Sequence, residues 1–103
     1  MRVCPRQAKA VSIEGHPDAV CNGLYTHDST HEGWPVLKNA TGMCCYRHIG
    51  RGTWHLSIEN KVHTDFCNTC IQAKEGPLPV GAHTWQNWDG NEWQARTLTV
   101  TLQ

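Results

Sequence analysis

The motif Cys67-Asn68-Thr69-Cys70 is the first candidate for chemistry in this sequence. A redox-active dithiol of this spacing needs a strand that leads into a helix, because the helix N-terminus lowers the pKa of the first thiol. No alternation of strands and helices surrounds the motif. A thiol-dependent enzyme is therefore the least favoured hypothesis. We expect a protein that is not an enzyme, and no catalytic residue is predicted.

The same two cysteines could instead supply half of a structural zinc site. Cys44, Cys45 or His63 would have to complete the set of ligands. Residues three apart in an extended strand point to opposite faces, so chelation by Cys67 and Cys70 requires a tight turn. A small zinc-binding domain stays open as an alternative. The favoured interpretation needs no cofactor and leaves the cysteines as reduced, mostly buried thiols.

The tryptophans carry the favoured functional hypothesis. Three of the five lie between positions 85 and 93, interleaved with asparagine and aspartate. Exposed aromatic rings beside amides and carboxylates suit the recognition of sugars or peptides, because rings stack and polar groups fix orientation. We predict a non-catalytic binding module whose partner is a protein, a peptide or a glycan. Its predicted binding residues are Trp34, Trp85, Asn87, Trp88, Asp89 and Asn91.

Strand parity separates the tryptophans by burial. Trp54 and Trp93 are predicted to fill the core, and Trp88 is predicted to be exposed. Trp34 stands beside Pro35 near the start of a strand, and its burial is left open.

Length and charge bound the possible classes of protein. The 103 residues predict one domain, with a polar, flexible leader over residues 1–9 and a single β-domain over 10–103. A formal net charge of zero gives no electrostatic support for binding nucleic acid or an anionic membrane. No stretch has the pattern of a secretory signal or a transmembrane span, so we expect a cytoplasmic monomer.

The fold class follows from the spacing of strands and turns. No amphipathic helix of ten or more residues can be written, and short strands alternate with Gly- and Asn-rich turns. This pattern predicts an all-β domain, a small antiparallel sandwich or barrel of about three hairpins with N- and C-terminal strands. The terminal strands are predicted at Ala10–Glu14 and Thr97–Leu102.

The stretch Cys44–Ile58 is predicted to form the central hairpin. A three-residue loop, Gly50-Arg51-Gly52, would place Gly52 at positive φ and pair Tyr46 with Leu56. That register puts Cys44, Tyr46 and Leu56 on one inward face, whereas a two-residue loop would place Tyr46 opposite His55.

Two other stretches resemble this hairpin and suggest an internal repeat. Tyr25–Lys38 and Trp85–Thr97 each carry an aromatic residue, a Gly-bearing loop and a tryptophan eight or nine positions after the first aromatic. In the first, residues 28–33 are predicted to form a polar loop. In the last, Asn91 is predicted at positive φ, and a bulge near Arg96-Thr97 would reconcile the strand parity.

These segments together resemble the small Trp/Gly-rich β-domains found in uncharacterised proteins of protists and algae. The resemblance rests on a series of short segments: Val11–Gly15, Asn22–Tyr25, Gly33–Val36, Tyr46-Arg47, Trp54–Leu56, Trp85 and Trp93. It implies a compact β-module that is often appended to other domains. It implies no established activity and supplies no catalytic residue.

Overall fold

A computed structural model describes residues 10–48, 50–59, 67–72 and 78–103 of the chain. Over these residues the chain forms eight antiparallel strands that close into a barrel, with sequence neighbours adjacent in the sheet. The strands are β1 (Ala10–Glu14), β2 (Gly23–His31), β3 (Trp34–Lys38), β4 (Met43–His48), β5 (Thr53–Ile58), β6 (Thr69–Gln72), β7 (Gly81–Trp88) and β8 (Trp93–Leu102). A turn of 3₁₀ helix (Ala19–Cys21) lies between β1 and β2. The all-β prediction is confirmed, and the form is a barrel.

No helix in the described ranges has the length and apolar character to cross a membrane. The predicted leader over 1–9 and the candidate ligand His63 lie outside the described residues.

The barrel closes where β1 pairs with β8. Val11 lies opposite Leu102 and Ile13 lies opposite Val100, while the other edge of β1 pairs with β2. The inward side chains of the strands form one apolar cluster that includes two fully buried tryptophans, Trp54 and Trp85. The interior is therefore a packed core, and ligand sites must be sought on the outside and at the ends of the barrel.

The register of the central hairpin differs from the prediction. Tyr46 lies opposite His55 and Cys45 opposite Leu56, and the last pair is His48 with Thr53. Gly52 has the predicted positive φ of 65°, but the loop is longer than three residues. Both faces of this hairpin are buried, so the rule that one face is polar does not apply.

Cys44 and Tyr46 consequently face away from the barrel interior. They form a second, smaller buried cluster with Val36. The predicted inward position of Cys44 beside Leu56 is wrong.

The last hairpin also corrects the prediction. β7 and β8 pair without interruption from Gly81–Val100 to Trp88–Trp93, so no bulge occurs at Arg96-Thr97. Gly90, not Asn91, takes the positive φ in the loop. Leu98 and Val100 of β8 point inward, and Trp93 is 47% exposed rather than in the core.

The first hairpin is tighter than predicted. β2 continues to His31, which pairs with Trp34, so only Glu32 and Gly33 form the loop. Both have positive φ, 50° and 84°, as a type I′ turn requires. All three predicted hairpins therefore exist. Their aromatic residues are not equivalent, because Tyr25 and Trp85 lie in the main core and Tyr46 lies in the second cluster.

Gly15 fixes the exit of the chain from β1 towards the barrel end. Its φ is +96°, and a Cβ added there would lie 2.7 Å from the backbone oxygen of Thr97 in β8. Two independent constraints thus select glycine at this position.

Gly15→Ala is expected to lower the free energy of unfolding by more than Gly23→Ala. Gly23 also has positive φ, +110°, but an added Cβ meets no described atom within 4 Å. Backbone strain alone costs about 1–3 kcal/mol, and the contact with Thr97 adds at least ~1 kcal/mol because backbone must move. Urea denaturation of both variants measures the difference. Equal losses would contradict the close approach.

Candidate functional site

Three parts of the chain meet at one end of the barrel. They are the turn after β1, the residues that lead into β6, and the tip of the β7–β8 hairpin. The Asn22 side chain holds the turn, because its Oδ1 accepts from the His16 backbone N–H at 2.9 Å and its Nδ2 donates to the His16 carbonyl at 3.0 Å. At β6, the backbone of Asn68 donates to Leu56 O at 3.1 Å and accepts from Trp88 N at 2.8 Å. These bonds fix three chain segments against one another.

A chain of hydrogen bonds links His16 to β6 and β7. The Asp18 backbone N–H donates to His16 Nδ1 at 2.9 Å, so the ring's proton is on Nε2. His16 Nε2 lies 2.7 Å from Thr69 Oγ1, and the Thr69 hydroxyl donates to Asn87 Oδ1 at 2.9 Å. All three side chains are buried. Burial lowers the pKa of His16, although the nearby Asp18 partly opposes this shift.

A polar pocket of about 530 Å³ opens beside this chain of hydrogen bonds. The lining residues that carry polar groups or an aromatic ring are His16, Asp18, Asn68, Asn87, Trp88, Asp89 and Arg96. Trp88 is 40% exposed, as predicted. The polar pocket therefore combines an accessible indole ring with amides, carboxylates and a guanidinium group.

The carboxylate of Asp89 organises the hairpin tip at the rim of this pocket. Asp89 Oδ1 accepts from the backbone N–H groups of Asn91 at 2.8 Å and Glu92 at 2.9 Å. The N–H of Glu92, followed by that of Asn91, lowers the pKa of the Asp89 carboxyl. Asp89 thus remains ionised and holds the loop that follows Trp88.

A second cavity, of about 500 Å³, lies on the other side of Trp88. We call it the thiol groove, and its lining residues are Arg51, Thr53, His55, Cys67, Cys70, Gln72, Trp88 and Trp93. The Trp88 and Trp93 rings are edge-to-face, with centroids 5.4 Å apart and planes at 62°. One ring, Trp88, therefore belongs to the walls of both cavities.

The two cysteines of the groove are hydrogen-bonded to each other. Their interaction lowers the pKa of Cys70 to about 7 and raises that of Cys67. Arg51 lowers the pKa of Cys70 further, and burial opposes the shift. The expected divergence of residues three apart does not apply, because β6 begins only at Thr69 and Cys67 precedes it.

The structure brings together three of the predicted binding residues. Asn87, Trp88 and Asp89 line the polar pocket. Asn91 is exposed in the adjacent loop, whereas Trp85 is fully buried in the core and cannot contact a surface ligand. Trp34 lies elsewhere, edge-to-face with Trp54 at 6.1 Å and with the Arg47 guanidinium 5.1 Å from its ring centroid.

The candidate metal ligands are not assembled among the described residues. No three histidine, cysteine, aspartate or glutamate side chains in the described ranges are placed to hold a metal ion together. Cys44 packs with Val36 and Tyr46.

Three residues of the polar pocket and its hydrogen-bond chain were not predicted from the sequence. His16 and Thr69 are 53 residues apart, so no local motif joins them. Arg96 lies in β8, where the alternation of apolar residues in the sequence predicted a bulge. The one available cue was His16-Pro17-Asp18, a turn that follows a strand ending at the same barrel end.

Comparisons with protein-family models, with curated proteins and with solved structures found no match to this chain. The resemblance to small Trp/Gly-rich β-domains therefore stays a prediction.

Thr69→Val is expected to destabilise the barrel by about 2–4 kcal/mol, because His16 Nε2 and Asn87 Oδ1 both lose a buried partner. Thr69→Ser keeps the hydroxyl and is expected to cost only about 1 kcal/mol for the lost methyl group. Chemical denaturation of both variants gives the comparison. A valine variant at least as stable as the serine variant would contradict the role of the hydroxyl.

The stability contributed by His16 is expected to fall with decreasing pH. The pKa of His16 in the folded state lies below the ordinary value of about 6.5, so the unfolded chain takes up a proton first and stability is lost below that value. The difference in unfolding free energy between wild type and His16→Gln should therefore shrink from pH 7.5 to pH 5. A difference that stays constant or grows would show that His16 is not buried as a neutral ring.

Proposed function

We propose that this barrel is a non-catalytic carbohydrate-binding module and that the polar pocket is its binding site. The observation that carries the proposal is the accessible Trp88 ring beside a pocket of about 530 Å³ walled by fixed polar groups. Pockets for small ligands commonly measure roughly 300–1,000 Å³. A sugar unit fits the chemistry of such a site, because its C–H face packs on an aromatic ring while its hydroxyls bind polar side chains.

The polar groups of the pocket suit hydroxyls in particular. Sugar hydroxyls donate and accept, and the pocket offers acceptors on Asp18 and donors on Arg96, with both kinds on Asn68. The Thr69–Asn87 hydrogen bond of 2.9 Å holds the Asn87 amide in one orientation. A site whose polar groups are already positioned spends little entropy on binding.

A sugar is favoured over an extended peptide by the topology of the sheet. Peptides that bind by strand addition need an unpaired strand edge. Every described strand of this barrel pairs with a neighbour on each side. A peptide strand would find an edge only where this pairing is partial, as in β7, whose described pairs with β6 involve Gln86 and Asn87.

Trp88→Ala is expected to weaken glycan binding by at least about tenfold, equivalent to ~1.4 kcal/mol, because the stacking surface is removed. The full chain would first be screened on a glycan array and on a peptide array. The strongest glycan would then be titrated against wild type and variants by intrinsic tryptophan fluorescence.

Trp34→Phe is the matched control, because Trp34 lines neither of the two cavities. It is expected to bind the glycan like wild type. Binding to peptides alone, or equal losses in the Trp88 and Trp34 variants, would overturn the proposal.

A further inference from the structure

The thiol groove holds a feature that sugar binding does not use. Cys67 and Cys70 are both partly exposed and hydrogen-bonded to each other in a cavity of about 500 Å³. The other three described cysteines, Cys21, Cys44 and Cys45, are buried. Only the first two are therefore both paired and accessible among the described cysteines.

Backbone hydrogen bonds set the geometry of this pair. Asn68 lies between β5 and β7, with its N–H bonded to Leu56 O and its carbonyl bonded to Trp88 N. This anchored bend turns Cys67 towards the side of the sheet on which Cys70 lies.

We propose that Cys67 and Cys70 are a redox-active dithiol that exchanges with low-molecular-weight disulfides in the thiol groove, with Cys70 attacking and Cys67 resolving. The proposal does not depend on sugar binding, because it concerns the cavity on the opposite side of Trp88. The Arg51 guanidinium also lines the groove.

The exchange balances without any further reactant. The Cys70 thiolate attacks one sulfur of the substrate R–S–S–R, forming a Cys70–S–S–R mixed disulfide and releasing RS⁻, which takes up a proton. Cys67 then loses its proton and attacks the Cys70 sulfur, forming the Cys67–Cys70 disulfide and releasing the second RS⁻. Two protein thiols are oxidised, and one substrate disulfide is reduced to two thiols.

The order of attack follows from the hydrogen bond between the thiols. Cys67 and Arg51 both lower the pKa of Cys70, whereas the pKa of Cys67 is raised, so Cys70 is the sulfur whose thiolate is favoured. Burial raises the pKa of Cys21, Cys44 and Cys45, so these thiols are unreactive internal controls.

The test uses glutathione disulfide and the full chain carrying Cys4→Ser, which removes a thiol outside the described residues. Peptide mass spectrometry should find that the wild-type peptide containing Cys67 and Cys70 has become lighter by two hydrogens. Cys67→Ser should accumulate a glutathione adduct on Cys70, because the resolving thiol is gone. Cys70→Ser should form an adduct on Cys67 at least about tenfold more slowly. Equal adduct rates in the two variants, or a wild-type pair that stays reduced, would overturn the proposal.

A second measurement needs no substitution at either cysteine. The rate of iodoacetamide alkylation of Cys70 should rise with a midpoint near pH 7, and Cys21, Cys44 and Cys45 should stay unmodified in the native protein. A midpoint at or above the ordinary value of about 8.5 would contradict the assignment of Cys70 as the attacking sulfur.

Discussion

The pairing of the first strand with the last is the constraint on which the rest of the structure depends. Ile13 lies opposite Val100, and this contact closes the sheet. Because the sheet is closed, the turn that follows β1 is carried to the barrel end where β7 and β8 turn. His16 can therefore reach Thr69, which lies 53 residues further along the chain. An open sheet with the same strands would leave His16 without this partner.

The packed interior places function at the end and outer face of the barrel. Trp54 and Trp85 fill the space that larger barrels of this kind leave for a ligand. Trp88 follows the buried Asn87 directly in β7. At Trp88 the buried part of this strand ends and the exposed surface begins. Its ring separates the polar pocket from the thiol groove, so its packing affects both cavities.

The local alternation of apolar and polar residues predicted those strands that bury only one face. β1 was predicted with its bounds and its inward residues, and the exposure of Trp88 was predicted from parity. The central hairpin could not be predicted in register, because Cys44 and Cys45 are both buried on opposite faces. The side of the sheet on which Cys67 lies depends on the residue at which β6 begins. Contacts between distant segments of the chain determine that residue. The link from His16 to Asn87 is equally long-range, and no local spacing encodes it.

A ligand that binds at the barrel end beside Trp88 should leave the core of the barrel unchanged. Amide and indole NMR spectra of the isotopically labelled chain, recorded during titration with the strongest array glycan, test this directly. We expect the signals of the Trp88 indole N–H and the Asn87 amide to shift, and those of the Trp54 and Trp85 indoles to stay unchanged. Shifts centred on Trp34, or spread through the core tryptophans, would contradict it.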